Sequence, residues 1–152
     1  MNRDAFLADL IRDENNVLFC YDDATASPVV PGYRLKGHPT IGIGRALDVH
    51  GISGSESVYL AKNDIQRVEL DLASRLPSWS ALDDPRQRVI ANIAFNAGVE
   101  GALQFRNMLA AIATGDYHLA AVHLQDSKLN GQAAARVARL VALLQSPRIS
   151  QV

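Results

Sequence analysis

Between residues 17 and 44 the chain cannot hold a long helix. Pro28, Pro31-Gly32, Gly37 and Pro39 cut it at short intervals. Proline removes an amide donor and clashes with the preceding turn, while glycine admits tight turns. The spans left between the cuts are short, and rich in β-branched or aromatic residues: Val17 to Tyr21, Tyr33 to Leu35, and Thr40 to Ile43. They predict a small antiparallel sheet joined by turns.

Helical patterns flank this stretch. Phe6, Leu7, Leu10 and Ile11 recur on one helical face, with Asn2 as N-cap and an end near Glu14, where Asn15-Asn16 continue a helix poorly. Ser53-Gly54-Ser55-Glu56 has the form of a capping box. It opens a helix predicted to run to about Arg75, carrying Val58, Ala61, Ile65, Val68 and Leu72 on one face and stopped by Pro77. Asp84-Pro85 then reads as an N-cap followed by proline at the first helical position, with Gly98 closing that helix. Further helices are expected at about 101–113, 117–126 (Asp116 as cap) and 133–145 (Pro147 as stop). The fold class is therefore α+β: a small sheet lobe, about 15–52, a connecting helix, about 53–75, and a helical lobe, about 84–146.

Composition narrows the function classes. A net charge of −1 argues against whole-molecule attraction to nucleic acid. The charge is uneven: residues 1–85 carry 8 Lys/Arg and 13 Asp/Glu, a net of −5, and residues 86–152 carry 7 and 3, a net of +4. A solvated basic face explains such asymmetry most simply; a surface for an acidic polymer is the sharper alternative. Cys20 is the single cysteine, so no intrachain disulfide can form. It sits in the apolar run Val17 to Tyr21 and reads as a small hydrophobe. The N-terminal segment is an amphipathic helix, not an uninterrupted signal-peptide core, and no run reaches the roughly 20 apolar residues of a membrane span. His38, His50, His118 and His123 have no compact ligand spacing, so neither a metal nor another cofactor is expected, and they read as ordinary surface or core residues.

Three features carry chemistry. Asp13-Glu14 fall at the end of the first helix, where the helix dipole is negative and favours a protonated carboxylic acid. Such an acid is what a glycosidase needs to protonate a leaving oxygen. Asp22-Asp23 follow the first strand, where a solvated carboxylate can activate water. Taken singly, the first is better explained as a helix-end acid and the second as turn chemistry. The third feature is the string Pro39-Thr40-Ile41-Gly42-Ile43-Gly44-Arg45. Its alternating glycines leave one strand face open to a ligand, and the spacing is not that of a phosphate loop.

Together, Leu10-Ile11-Arg12-Asp13-Glu14, Tyr21-Asp22-Asp23 and Thr40-Ile41-Gly42-Ile43-Gly44 resemble the phage lysozymes of glycoside hydrolase family 24. In that pattern a Glu is followed after eight residues by an Asp, and then by a Thr that opens a Thr-Ile-Gly-x-Gly string. Eight residues separate Glu14 from Asp23, so Asp23 and not Asp22 takes the aspartate's place. The resemblance extends to Gly51-Ile52-Ser53, to Asn92 through Gly98, to Phe105 through Leu109, to Gly115-Asp116-Tyr117, and to Ser127 with Arg136-Val137-Ala138-Arg139. Three departures stand out. Sixteen residues separate Asp23 from Thr40, against only a few in the best-known short members; Arg45 stands where histidine is common; and Leu129 replaces a frequent tryptophan.

The resemblance implies a lysozyme-like fold over residues 1–152, with the helix at 3–14 grouped with the helical lobe. It implies cleavage of the β-1,4 bond between N-acetylmuramic acid and N-acetylglucosamine in peptidoglycan. Glu14 would be the general acid, with Asp23 and Thr40 placing the attacking water. An inverting enzyme of this kind needs carboxyls roughly 6.5–9.5 Å apart. Arg136 would pair with Glu14, Arg139 with Asp13, and Arg45 with Asp64. Asn96, Gly42 and Phe105 are expected to meet substrate; for Asn96 a helix-capping role is an equal alternative. The resemblance further implies a monomeric endolysin, held in the host cytoplasm until a holin admits it to the wall. Two rivals are a non-catalytic wall-binding module on the same fold and a membrane-active protein. The second would use Val137, Leu140, Val141, Leu143 and Leu144, flanked by Arg136, Arg139 and Arg148, for weak membrane contact.

Overall fold

The computed structural model describes residues 1–14 and 16–147. Arg148, named above, lies outside them. The elements run in the order α1 (Arg3–Glu14), β1 (Val17–Asp22), β2 (Ser27–Pro28), β3 (Pro39–Gly42), β4 (Arg45–Ala46), α2 (Leu47–His50), α3 (Gly54–Arg75), a 3-10 turn (Trp79–Ala81), α4 (Asp84–Leu103), α5 (Arg106–Ala113), α6 (Tyr117–Gln125) and α7 (Lys128–Leu144). The α+β class is as the sequence predicts: a small antiparallel sheet, then a mostly helical region. Two compact units divide at 58/59, inside the span of α3.

The first unit, Met1–Val58, contains α1 and the sheet, with strand order β2-β1-β3-β4. Counting α1 here departs from the expected grouping with the helical lobe. Asn2 caps α1, its Oδ1 accepting from the amides of Asp4 and Ala5 at 3.1 Å each. Tyr21 of β1 pairs with Thr40 of β3, and Thr40 pairs in turn with Ala46 of β4. The expected strand at Tyr33 to Leu35 does not form. Instead Tyr33 N closes a turn onto Val30 O, and the amides of Lys36 and Gly37 donate to the Asp22 carboxylate. A side chain has taken donors that a ladder would have used. Among the described residues of this unit, the buried ones are Asp22 and Thr40. A polar group therefore organises it, not an apolar core.

The capping box forms as written. Ser53 N donates to Glu56 Oε2 at 2.7 Å, and Glu56 N donates to Ser53 Oγ at 3.3 Å. Arg45 adds to the same carboxylate, with Nη1 2.9 Å from Oε2 and Nη2 2.9 Å from Oε1. Glu56 is held below the usual glutamate range, first by the Ser53 amide, then by the Ser53 hydroxyl and by Arg45, against the opposing effect of desolvation.

The second unit, Tyr59–Val152, holds the apolar core. Leu72 of α3, Val89, Ile90 and Ile93 of α4, Met108 and Ile112 of α5, Leu124 of α6, and Val137 and Leu144 of α7 are its large, almost fully enclosed members. Asp83, not Asp84, is the N-cap residue of α4, which moves Pro85 to the second helical position. Gly98 breaks this helix with φ 75 and ψ 160, but a further turn follows instead of a stop. The helix expected at 101–113 accordingly starts later, at Arg106. Asp116 does cap α6, accepting from Leu119 N at 2.9 Å. In α7, Val137, Leu140, Val141 and Leu144 are core residues, which commits the face considered above for membrane contact. Arg86, 1% exposed, is the large polar exception. Its Nη2 donates to Leu144 O and Ser146 O at 2.5 Å each, its Nη1 donates to Asp83 Oδ2 at 2.9 Å, and its guanidinium lies 3.9 Å from the Tyr117 ring centroid.

Candidate active site

Asp22 and Asp23 are adjacent in sequence and opposite in circumstance. Asp22 ends β1 and is fully buried. Its Oδ1 accepts from Ala24 N (3.0 Å) and Gly37 N (2.9 Å), and its Oδ2 from Lys36 N (2.7 Å) and Tyr33 OH (3.1 Å). With four donors, little lone-pair capacity is left for a substrate or water. The Lys36 amide above all, then Ala24, Tyr33 and Gly37, hold its carboxyl below the usual aspartate range despite desolvation.

Asp23 is exposed. Its Oδ1 accepts from His38 N at 2.7 Å, and its own amide donates to His38 O at 3.1 Å. Among the described residues nothing donates to its Oδ2, which leaves that oxygen to take a proton from water or to orient it. Gly37 makes this geometry possible. A Cβ on Gly37 would stand 2.0 Å from Asp23 Oδ1 and 2.9 Å from Ala24 N. Only a residue without a side chain admits that approach.

Thr40, 3% exposed, sits where β1, β3 and β4 meet in register. Its Oγ1 donates to His38 O at 3.2 Å. Thr40 and Asp23 are thus bonded to the same residue's main chain. Gly42 has φ +66, and among the described residues nothing would lie within 4 Å of a Cβ built on it, so the strand is open there. Gly44, at φ +68, faces Glu14: a Cβ there would stand 3.6 Å from Glu14 Oε2. The close of α1 and the turn between β3 and β4 therefore meet at the Glu14 carboxylate, which is exposed. Glu14, Asp23, Thr40 and Gly42 all belong to the first unit.

The expected ion pairs come out differently in part. Arg45 is taken by Glu56 and by Gly51 O (3.0 Å), while Asp64 pairs with Arg67 one turn along α3. The capping carboxylate that holds Arg45 is already oriented by Ser53, and each partner of the expected Arg45–Asp64 pair is bonded within its own unit. Asp13 accepts from Arg12 Nε at 3.2 Å, a mutually exposed pair. Arg136 and Arg139 lie on α7 in the second unit. Asn96, two residues before the Gly98 break, donates its Nδ2 to Asn92 O at 2.8 Å, and the residue stays exposed. Phe105, at the N-cap of α5, lines a 480 Å³ cavity with Asn107, His123 and Ser127.

Sequence reasoning missed His38. Its ring Nδ1 lies 2.9 Å from Asp48 Oδ2 on α2, and its main-chain N–H and carbonyl bond Asp23 and Thr40. The hydrogen bond and charge of Asp48 raise the imidazole above the usual histidine value, with smaller help from Asp23 and Asp22. His38 in turn lowers Asp48. The search for histidine pairs at metal-ligand spacing could not find this, because the partner is a carboxylate ten residues away.

No family model matches the chain. It is similar to the pre-baseplate central spike protein Gp5 of Enterobacteria phage T4, with 29% identity over 147 aligned positions that cover 74% of this chain and 26% of that protein. The chain spans about a quarter of that relative's length. It is distantly homologous to a phage baseplate spike protein.

Proposed function

We propose that this chain is a muramidase that cuts the β-1,4 bond between N-acetylmuramic acid and N-acetylglucosamine in peptidoglycan. The observation that carries it is the division of labour between Asp22 and Asp23. One is buried under four donors and builds the loop; the other is exposed, held by a single oxygen, and keeps the second for water. Glu14, against Gly44 of the same sheet, supplies the acid. A proton from Glu14 goes to the glycosidic oxygen as the bond breaks. Water, deprotonated by Asp23 and placed with the help of Thr40, adds to the anomeric carbon from the opposite side, inverting it. The open strand face at Gly42 receives the sugar chain.

The test is turbidity loss of purified peptidoglycan, with NMR of the anomeric proton formed at early times. Wild type is expected to clear the suspension and release inverted ends. Glu14→Gln and Asp23→Asn are expected to lose at least 10²-fold of the rate, on the scale of acid–base catalysis. Clearing by Glu14→Gln at the wild-type rate would overturn the assignment and leave a wall-binding module or another lytic agent.

Two placements suit such an activity. One is a monomeric endolysin that waits in the host cytoplasm for a holin. The similarity to a spike protein favours the other, a wall-cutting module carried by the phage particle. Mass spectrometry of purified particles separates them: a particle component supports the second, and accumulation only in infected cells supports the first.

A further inference from the structure

We propose that His38, clamped by Asp48, is a positioning residue for the Asp23–water arrangement, acting through its own main chain. The inference rests on the muramidase assignment. The β1–β3 ladder and the Asp22 carboxylate bring the ends of the sixteen-residue segment between Asp23 and Thr40 together, but neither bonds the Asp23 carboxylate or the Thr40 hydroxyl. His38 bonds both. Its N–H holds Asp23 Oδ1, and its carbonyl accepts from both Asp23 N and Thr40 Oγ1. The N–H and the carbonyl belong to the two peptide groups that flank the His38 Cα, so rotation of the backbone at His38 bears on both the Asp23 carboxylate and the Thr40 hydroxyl.

What resists that rotation is the side chain. The imidazole is bonded to Asp48 in α2, and α2 follows directly on β4, whose Ala46 pairs with Thr40. The clamp thus joins the end of the long loop to the far edge of the sheet that carries Thr40. Among the described residues, it is the one ion pair made by any residue from 24 to 39. The charged groups around the imidazole are Asp48 from α2, and Asp23 and Asp22 from the end of β1 and its turn. All three are acidic, so the protonated ring is favoured and the clamp is strongest as an imidazolium–carboxylate pair. It is present below the raised pKa of His38 and weakens as pH rises through it. Both partners are about half exposed, so solvent and salt moderate the clamp.

The experiment compares wild type with Asp48→Asn. It measures kcat and KM on purified peptidoglycan across pH, the His38 imidazole titration by NMR, and the shift of the His38 amide, which reports its bond to Asp23. Positioning predicts a fall in kcat of about tenfold with KM within twofold, since modest misplacement of a catalytic group acts on rate. It also predicts that the alkaline limb of kcat follows His38's titration and shifts to lower pH with it in Asp48→Asn. The His38 amide should move upfield as its bond to Asp23 lengthens. If Asp48→Asn lowers the His38 titration but leaves kcat, its pH limb and the amide shift as in wild type, the proposal is overturned. Should the variant be too unstable to assay, the wild-type profile alone decides, because raising pH weakens the clamp without a substitution. A kcat that stays flat through the His38 titration refutes the proposal. Failure of the muramidase assignment looks different: wild type then cuts no peptidoglycan, while the amide shift still reports whether the clamp holds Asp23.

Discussion

Replacing Gly37 with alanine separates the loop's role in stability from its role in chemistry. The added methyl would stand 2.0 Å from Asp23 Oδ1, 2.8 Å from Ala24 Cβ and 2.9 Å from Ala24 N. Carbon–carbon contacts settle near ~3.5–4.0 Å, so the carboxylate oxygen must retreat by more than about 1 Å and Ala24 by roughly half of that or more. Asp23 Oδ1 ends a flexible side chain and can swing clear, but it then leaves the His38 amide at 2.7 Å. Ala24 cannot swing, because its amide is tied to Asp22 Oδ1. Gly37 does not occupy the left-handed region, so the cost comes from space alone. Overpacking of this kind costs about 1–3 kcal/mol. A displacement near 1 Å at a catalytic group costs on the order of 10²-fold in rate. Gly37→Ala should therefore show a kcat on purified peptidoglycan about 100-fold down, and a urea unfolding free energy lower by ~1–3 kcal/mol. Gly54→Ala is the control: it opens α3 with nothing within 4 Å of the added carbon, and should leave both quantities near wild type. A Gly37→Ala enzyme that is destabilised yet keeps its full kcat would falsify the argument, because the position of Asp23 would then not govern the rate.

Two further outcomes follow from buried polar groups. Asp22 is held below its ordinary value, so its contribution to stability is complete above the unfolded pKa and is lost as pH falls through the folded one. Asp22→Asn is expected to be less stable at neutral pH and to lose stability more gradually than wild type below about pH 4, the ordinary aspartate range; equal slopes in acid urea titrations would count against this. Arg86→Met leaves Leu144 O, Ser146 O and the nearly buried Asp83 carboxylate without their donor. Breaking a buried pair from one side costs about 3–5 kcal/mol, so a loss under about 1 kcal/mol in urea unfolding would contradict the assigned role.

Where local rules sufficed, the sequence was legible. The Asn2 cap, the Ser53–Glu56 box and the Asp116 cap each need only three or four neighbouring residues, and each forms. The helical periods from α4 onward turned into core contacts, whereas on the predicted face of α3 only Leu72 is buried and Val68 packs against the core, with Val58 and Ile65 left exposed. Reasoning failed where a distant group competed for the backbone. Tyr33 to Leu35 has strand composition, yet Asp22, more than ten residues earlier, captures the neighbouring amides. Nothing in a period of two reveals such a competitor. The choice of Asp23 over Asp22 came from spacing alone, and the burial of Asp22 supplies a physical ground that spacing could not. Arg45 met Glu56 instead of Asp64 because a capping carboxylate is already fixed in place, a feature visible in the sequence but not weighed there.

The Asp22 anchor also bears on how this loop can diversify. Three of its four donors are main-chain amides, those of Ala24, Lys36 and Gly37, and any non-proline residue can provide them. Only Tyr33 contributes through its side chain. Tyr33 apart, residues between Val29 and Leu35 can therefore drift in identity, while the two ends remain stapled to one carboxylate. The long hairpin becomes a replaceable cassette on a fixed socket. Lineages could remodel what it presents to solvent without renegotiating the position of Asp23.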